Sequence, residues 1–146
     1  MLLLAADRPY RTWVQAFADA GVDTDRVFVL DVVSALDGGT PPQRPDNALF
    51  LASPTMLERM AMRIEQLAQK LGQGSHVVVD SLSTLALYNG VPPVQEFSHY
   101  LANRLRTQGF SGDFIIRDNQ VGASLRERIS AFADDHIKLD DPGDTP

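Results

Sequence analysis

Residues 76–90, HVVVDSLSTLALYNG, decide the reading of the fold. The run from His76 to Val79 is apolar and β-branched, ends on the carboxylate of Asp80, and is followed by hydroxyls at Ser81, Ser83 and Thr84. A strand that is apolar at consecutive positions has both faces covered, which is the pattern of a parallel sheet packed under helices. Ligands of open α/β sheets bind beyond the carboxyl ends of such strands. An acid delivered there is how many nucleotide-hydrolysing domains hold Mg²⁺.

Working outward from that strand, Leu2–Ala6, Arg26–Asp31, Ala48–Ala52, Phe114–Arg117 and Ile137–Leu139 are further candidate strands. Helical patterns alternate with them. Tyr10–Ala20 places Trp13, Val14 and Phe17 on one side and stops at Gly21. A longer helix is expected from Ser53 as N-cap and Pro54 at its first position to Leu71, with Leu57, Met60, Ile64, Leu67 and Leu71 at the 3.6 period. Val94–Thr107 carries Phe97, Leu101 and Leu105 inward, and Leu125–Ala133 gives a fourth helix. This alternation predicts an α/β fold, a three-layer αβα sandwich with a mainly parallel sheet, as one domain over residues 1–140. DGGTPPQRPDN at 37–47 reads as an exposed loop, NGVPP at 89–93 as a stiffened turn, and 141–146 as an acidic flexible tail.

Composition excludes several function classes. The 146 residues are 44% hydrophobic and 22% charged, as in globular proteins, and no apolar run approaches the ~20 residues of a spanning helix, so no membrane contact is expected. MLLLAADRPY is too short and meets charge too early to read as a secretory leader, which predicts a cytoplasmic protein. Without cysteine there is no disulfide framework, thiolate site or cysteine nucleophile. A net charge of -6, with Lys70 and Lys138 the only lysines, argues against general nucleic-acid binding, which needs clustered cations.

The candidate site residues are acids at strand ends: Asp80, Asp7 and Asp31. They can gather along one edge of the sheet and bind a cation, or each can form a turn, with Asp80 capping the next segment beside Ser81 and Ser83. His76, His99 and His136 lack metal-ligand spacing, so no metal site is expected. Ser81 lacks the nucleophile elbow of a hydrolase. Met56, Met60 and Met62 read as core or interface filler. Of the helical pair Met60 and Met62, only one can face the core, because positions two apart lie about 200° around the axis. No glycine-rich phosphate loop is present: the nearest glycine pair, LGQGSH at 71–76, precedes a strand instead of opening a helix.

HVVVDSLSTLALYNG followed by EFSHYLANRLRTQGFSGDFII resembles the Walker B strand and the helix and strand after it in the RecA superfamily, closest to the archaeal-type KaiC-like and GvpD-like ATPases of the P-loop NTPase fold. LLLAADRPYRTWVQAFADAGVDTDRVFVLDVVS and DNALFLASPTMLERMAMRIEQL are similar to the segments preceding Walker B, and LRERISAFADDHIKLD to the closing segment. The resemblance runs from about residue 2 to 140. It implies that Asp80 is the Walker B carboxylate. Matching Pro9 to the proline that follows two acids in active relatives puts Ala6 at the water-positioning base and Asp7 at the second acid. With the phosphate loop and the base both absent, the resemblance implies no catalysis and no catalytic residues.

It also implies that the phosphate-loop strand, which would lie between Phe114–Arg117 and Ile137–Leu139, is missing. Either those two strands pair directly or an open edge remains, and an open edge invites a protein partner or a homodimer. The expected role is a non-catalytic KaiC/RecA-like regulatory or scaffold module that needs no cofactor. Two alternatives stand beside it: an ATPase subunit binding ATP and Mg²⁺ only at a shared interface, with Asp80 and Arg117 offered to a neighbour, and a receiver-like signalling domain.

Overall fold

The computed structural model describes residues 1–38 and 45–139. The tail 141–146 and most of the 37–47 loop lie outside the described residues. The chain is an α/β three-layer αβα sandwich around a five-stranded sheet, with every strand pair parallel. The strands are β1 (Leu2–Ala5), β2 (Phe28–Asp31), β3 (Ala48–Phe50), β4 (His76–Asp80) and β5 (Ser111–Phe114), in the order β3-β2-β1-β4-β5. The helices are α1 (Tyr10–Asp19), α2 (Leu57–Leu71), α3 (Leu82–Asn89), α4 (Val91–Thr107) and α5 (Gln120–Ile129).

Alternation along the strands divides the core in two. Leu2, Leu4, Leu30, Val77 and Val79 face α2 to α5 across the larger core, where Met60, Ile64, Leu85, Leu101 and Leu125 are fully buried. Leu3, Ala5, Val29 and Ala48 face the other way, under Tyr10, Trp13 and Phe17 of α1. Among the described residues α1 is the one helix packed on that second face. No helix there is long and apolar enough to cross a membrane.

Several expected boundaries move, each for a local reason. Ile137–Leu139 is not a strand: Ile137 and Leu139 are 74% and 86% exposed, and so short an apolar segment cannot hold itself without a paired edge. β5 begins at Ser111, earlier than expected, because α4 ends through the Phe110 N–H donating to the Leu105 carbonyl, and the strand takes register directly with His76↔Ser111. Past Phe114, the Ile115 N–H still bonds the Val79 carbonyl, while its own C=O turns to the Leu82 N–H at the start of α3. α2 starts at Leu57, since Ser53 closes a turn on Thr55 and the Pro54 carbonyl is taken by the Asn89 amide.

α3 is an unexpected helix. Leu82, Ser83, Leu85 and Ala86 are all buried, so its sequence has no amphipathic period to read. α4 begins at Val91 with Pro92 and Pro93 in its first turn, where missing N–H groups cost nothing. Met60 is buried and Met62 exposed, as their spacing requires.

α5 starts at Gln120 because Asn119 caps it, accepting the Gly122 N–H at 2.7 Å. Gly122 lies against the preceding loop so closely that a Cβ would stand 1.8 Å from the Arg117 carbonyl oxygen. Gly122→Ala is therefore expected to lower stability by about 1–3 kcal/mol, the usual cost of overpacking. Ala123→Gly, at the exposed neighbouring position, should cost about 1 kcal/mol. Urea midpoints of both variants check this; an unchanged midpoint for Gly122→Ala shows a loop free to retreat.

Candidate functional site

β1 and β4 are adjacent in register, Ala5↔Asp80, and the Ala6 N–H extends the ladder to the Asp80 carbonyl at 2.8 Å. This is where the strand order changes direction, the crevice in which open α/β sheets bind ligands. The β1–α1 turn, Ala6 to Pro9, and the β4–α3 turn at Ser81 line its carboxyl side. Neither turn contains a glycine that would let backbone approach a phosphate.

Asp80 is 1% exposed, and its partners are arginines. Arg117, from the segment after β5, donates from Nη2 to Asp80 Oδ1 at 3.2 Å and from Nε to Asp7 Oδ2 at 3.1 Å. Its own N–H donates to Ser83 Oγ at 2.8 Å, which anchors its backbone on α3. Arg8 approaches from the other side, Nη2 3.7 Å from Asp80 Oδ2, with its guanidinium 4.2 Å from the Trp13 ring centre. Asp80 Oδ2 itself is buried and accepts no hydrogen bond. The result is an alternating chain of charge, Asp7–Arg117–Asp80–Arg8, across the sheet's carboxyl edge.

Burial pushes the Asp80 carboxyl above its ordinary value of 3.8, and the attraction of Arg117 and then Arg8 only partly opposes it. Taking the carboxylate out of water costs more than these half-exposed guanidiniums return.

The expected gathering of three acids is half realised. Asp7 and Asp80 share Arg117, but Asp31 is turned to a different task. Its Oδ1 accepts the Val33 and Ser34 N–H groups, and its Oδ2 accepts the Ser34 hydroxyl and the Tyr10 N–H that opens α1. Asp31 is thus the turn former, and it also places negative charge at a helix N-terminus. Asp80 does not cap α3: Ser81 does, accepting the Thr84 N–H at 3.2 Å, because the Asp80 carboxylate points to the arginines. Among the described residues no group of three His, Asp or Glu side chains could hold a metal.

Arg8 and its stacking on Trp13 were not legible as a site. The one available signal is Arg8 directly following the strand-end acid Asp7. A second cluster also emerges only in three dimensions. His76 bridges β4 to β5, Nδ1 2.6 Å from Ser111 Oγ and Nε2 2.7 Å from Asp113 Oδ2, on the second face of the sheet. His99 stacks on Phe132 and His136 is exposed, so the histidines serve separate local roles.

In sequence, residues 1–139 match a family of unknown function, DUF7504, and the chain belongs to that family. No curated protein matches it.

The raised Asp80 pKa gives a pH signature. A carboxyl whose folded value lies above its unfolded value contributes stability below the unfolded value, near 3.8, and loses it as pH rises through the folded one. Asp80→Asn removes this dependence, so the variant should gain on wild type in thermal melts as pH rises from 4 to 8. A variant that falls behind wild type over that range shows that the arginines outweigh burial. Asp31→Ala, which leaves its four donors without their acceptor, should instead cost about 1.5–3 kcal/mol at neutral pH. Chemical denaturation measures it; a loss near zero means water replaces the carboxylate.

Proposed function

We propose that the chain is a non-catalytic domain of RecA-like and KaiC-like type that works as a regulatory or scaffold module through contact with other protein. The single observation that carries this reading is the occupation of the Walker B-like acid by Arg117. In an active site of this type the carboxylate serves a hydrated cation. Here the guanidinium of Arg117, whose backbone N–H is held by Ser83 on α3, donates to Asp80 Oδ1, and Oδ2 is buried facing Arg8. A cation taking Asp80 Oδ1 would have to replace the Arg117 guanidinium, and one at the buried Oδ2 would meet Arg8 Nη2 3.7 Å away.

The backbone bond from the Ala6 N–H to the Asp80 carbonyl supports the alignment that gives Ala6 the place of the water-positioning base, and a methyl cannot orient water. The receiver-like alternative gains no support from the strand order β3-β2-β1-β4-β5, because receivers place their first strand between the second and third. The shared-interface alternative would require Arg117 to leave both Asp7 and Asp80 to serve a neighbour's nucleotide.

The purified chain should show no Mg²⁺-dependent ATP turnover above background, and neither Mg²⁺ nor ATP should shift its melting temperature. Turnover that disappears in Asp80→Asn sinks the proposal. Tight binding of Mg²⁺ and ATP without turnover, measured by titration calorimetry, would favour the shared-interface reading.

A further inference from the structure

β5 is an outer strand of the sheet, and among the described residues nothing pairs with its free side. Its inner side is set by the Ser111 N–H bonding the Ser75 carbonyl and the Ile115 N–H bonding the Val79 carbonyl. Odd-numbered residues therefore turn their backbone groups to β4. Gly112 and Phe114 turn theirs outward.

Side chains alternate on a different axis. Ser111 and Asp113 lie on the second face with His76, while Gly112 and Phe114 lie on the larger core's face with Val77 and Val79. The five residues 110–114 read Phe-Ser-Gly-Asp-Phe. That pattern is symmetric about Gly112: an aromatic at each end, a polar residue next, and glycine at the centre.

The geometry points to β5 as a self-complementary edge whose partner is a second copy of this chain, joined antiparallel about a two-fold axis at Gly112. Gly112 then opposes Gly112 of the second copy as a hydrogen-bonded pair, using the outward N–H and C=O groups that are otherwise unpaired. Ser111 opposes Asp113 of the second copy, so each carboxylate faces an uncharged residue across the two-fold, twice per dimer. Phe110 opposes Phe114 of the second copy on the other face, an aromatic cross-strand pair, and both are half-buried in the single chain.

The competing register, shifted by two residues, opposes Asp113 to Asp113 of the second copy, and like charges directly opposite disfavour it. The match on both faces comes from the sequence of the strand itself, so a second copy supplies it without any further partner. The inference rests on the reading of the chain as an interaction module and names its partner and its surface.

The absence of native cysteine makes the register directly testable. Ser111 and Asp113 of the second copy form a non-hydrogen-bonded pair with Cα atoms about 4.5 Å apart, within the span of a disulfide. Mixed Ser111→Cys and Asp113→Cys chains should oxidise to a linked dimer several-fold faster than either variant alone. In light scattering at micromolar concentration wild type should have twice the mass of one chain. Ser111→Asp, which sets like charges opposite one another, should reduce it to one, and the swapped pair Ser111→Asp with Asp113→Ser should restore it. Far-UV circular dichroism confirms that each variant is folded. A monomeric wild type, a dimer indifferent to Ser111→Asp, or Asp113→Cys alone linking fastest overturns the inference. ATP turnover reports on the underlying reading separately, so a monomer without turnover refutes the dimer and leaves the module reading in place.

Discussion

Leu2, Leu3 and Leu4 of β1 are at most 1% exposed, so the centre of the sheet must be covered on both faces. Each buried leucine side chain contributes about 1.5–3 kcal/mol. That requirement arranges the molecule: β2 and β4 flank β1 with parallel ladders, α2 to α5 bury Leu2 and Leu4, and α1 buries Leu3. Register then does the rest. With Ala5 paired to Asp80, the carboxylate arrives at the rim of an apolar layer, where it can neither hydrate nor remain uncompensated.

The arginines answer that constraint and tie three connections together. Arg8 comes from the β1–α1 turn and Arg117 from the β5–α5 segment, while the Arg117 backbone is held by Ser83 on α3. The Arg117 carbonyl in turn packs against Gly122, two residues inside α5. Both of these anchors are made by the Arg117 backbone, so they set where its side chain starts, while the ion pairs with Asp7 and Asp80 set where the guanidinium ends.

The two faces of the sheet are unequal. α4 and its neighbours seal one face out to β5, whereas the apolar cluster under α1 on the other face reaches only as far as Val78 of β4. Over β4 and β5 the second face presents His76 joined to Ser111 and Asp113, next to the half-buried Val78. At this edge Gly112 and Phe114 turn their backbone groups away from β4.

What the sequence determined by itself is the parallel α/β architecture and the position of Asp80 at a strand end. Both follow from local pattern: runs apolar at consecutive residues in β1 and β4, helical stripes between them, and an acid where the run stops. Even the division between buried Met60 and exposed Met62 was readable, because helical spacing is local. Three features were decided only by tertiary structure. α3 is buried on most sides, so it carries no amphipathic period. Ile137–Leu139 has strand-like residues but no edge to join. The partners of Asp80 lie 72 residues before it and 37 after it in sequence, and only the adjacency of β1, β4 and β5 brings Arg8 and Arg117 to one carboxylate. Patterns along the chain report which surfaces must be buried, but which charges meet at the rim depends on strand order, and strand order is a property of the whole packed sheet.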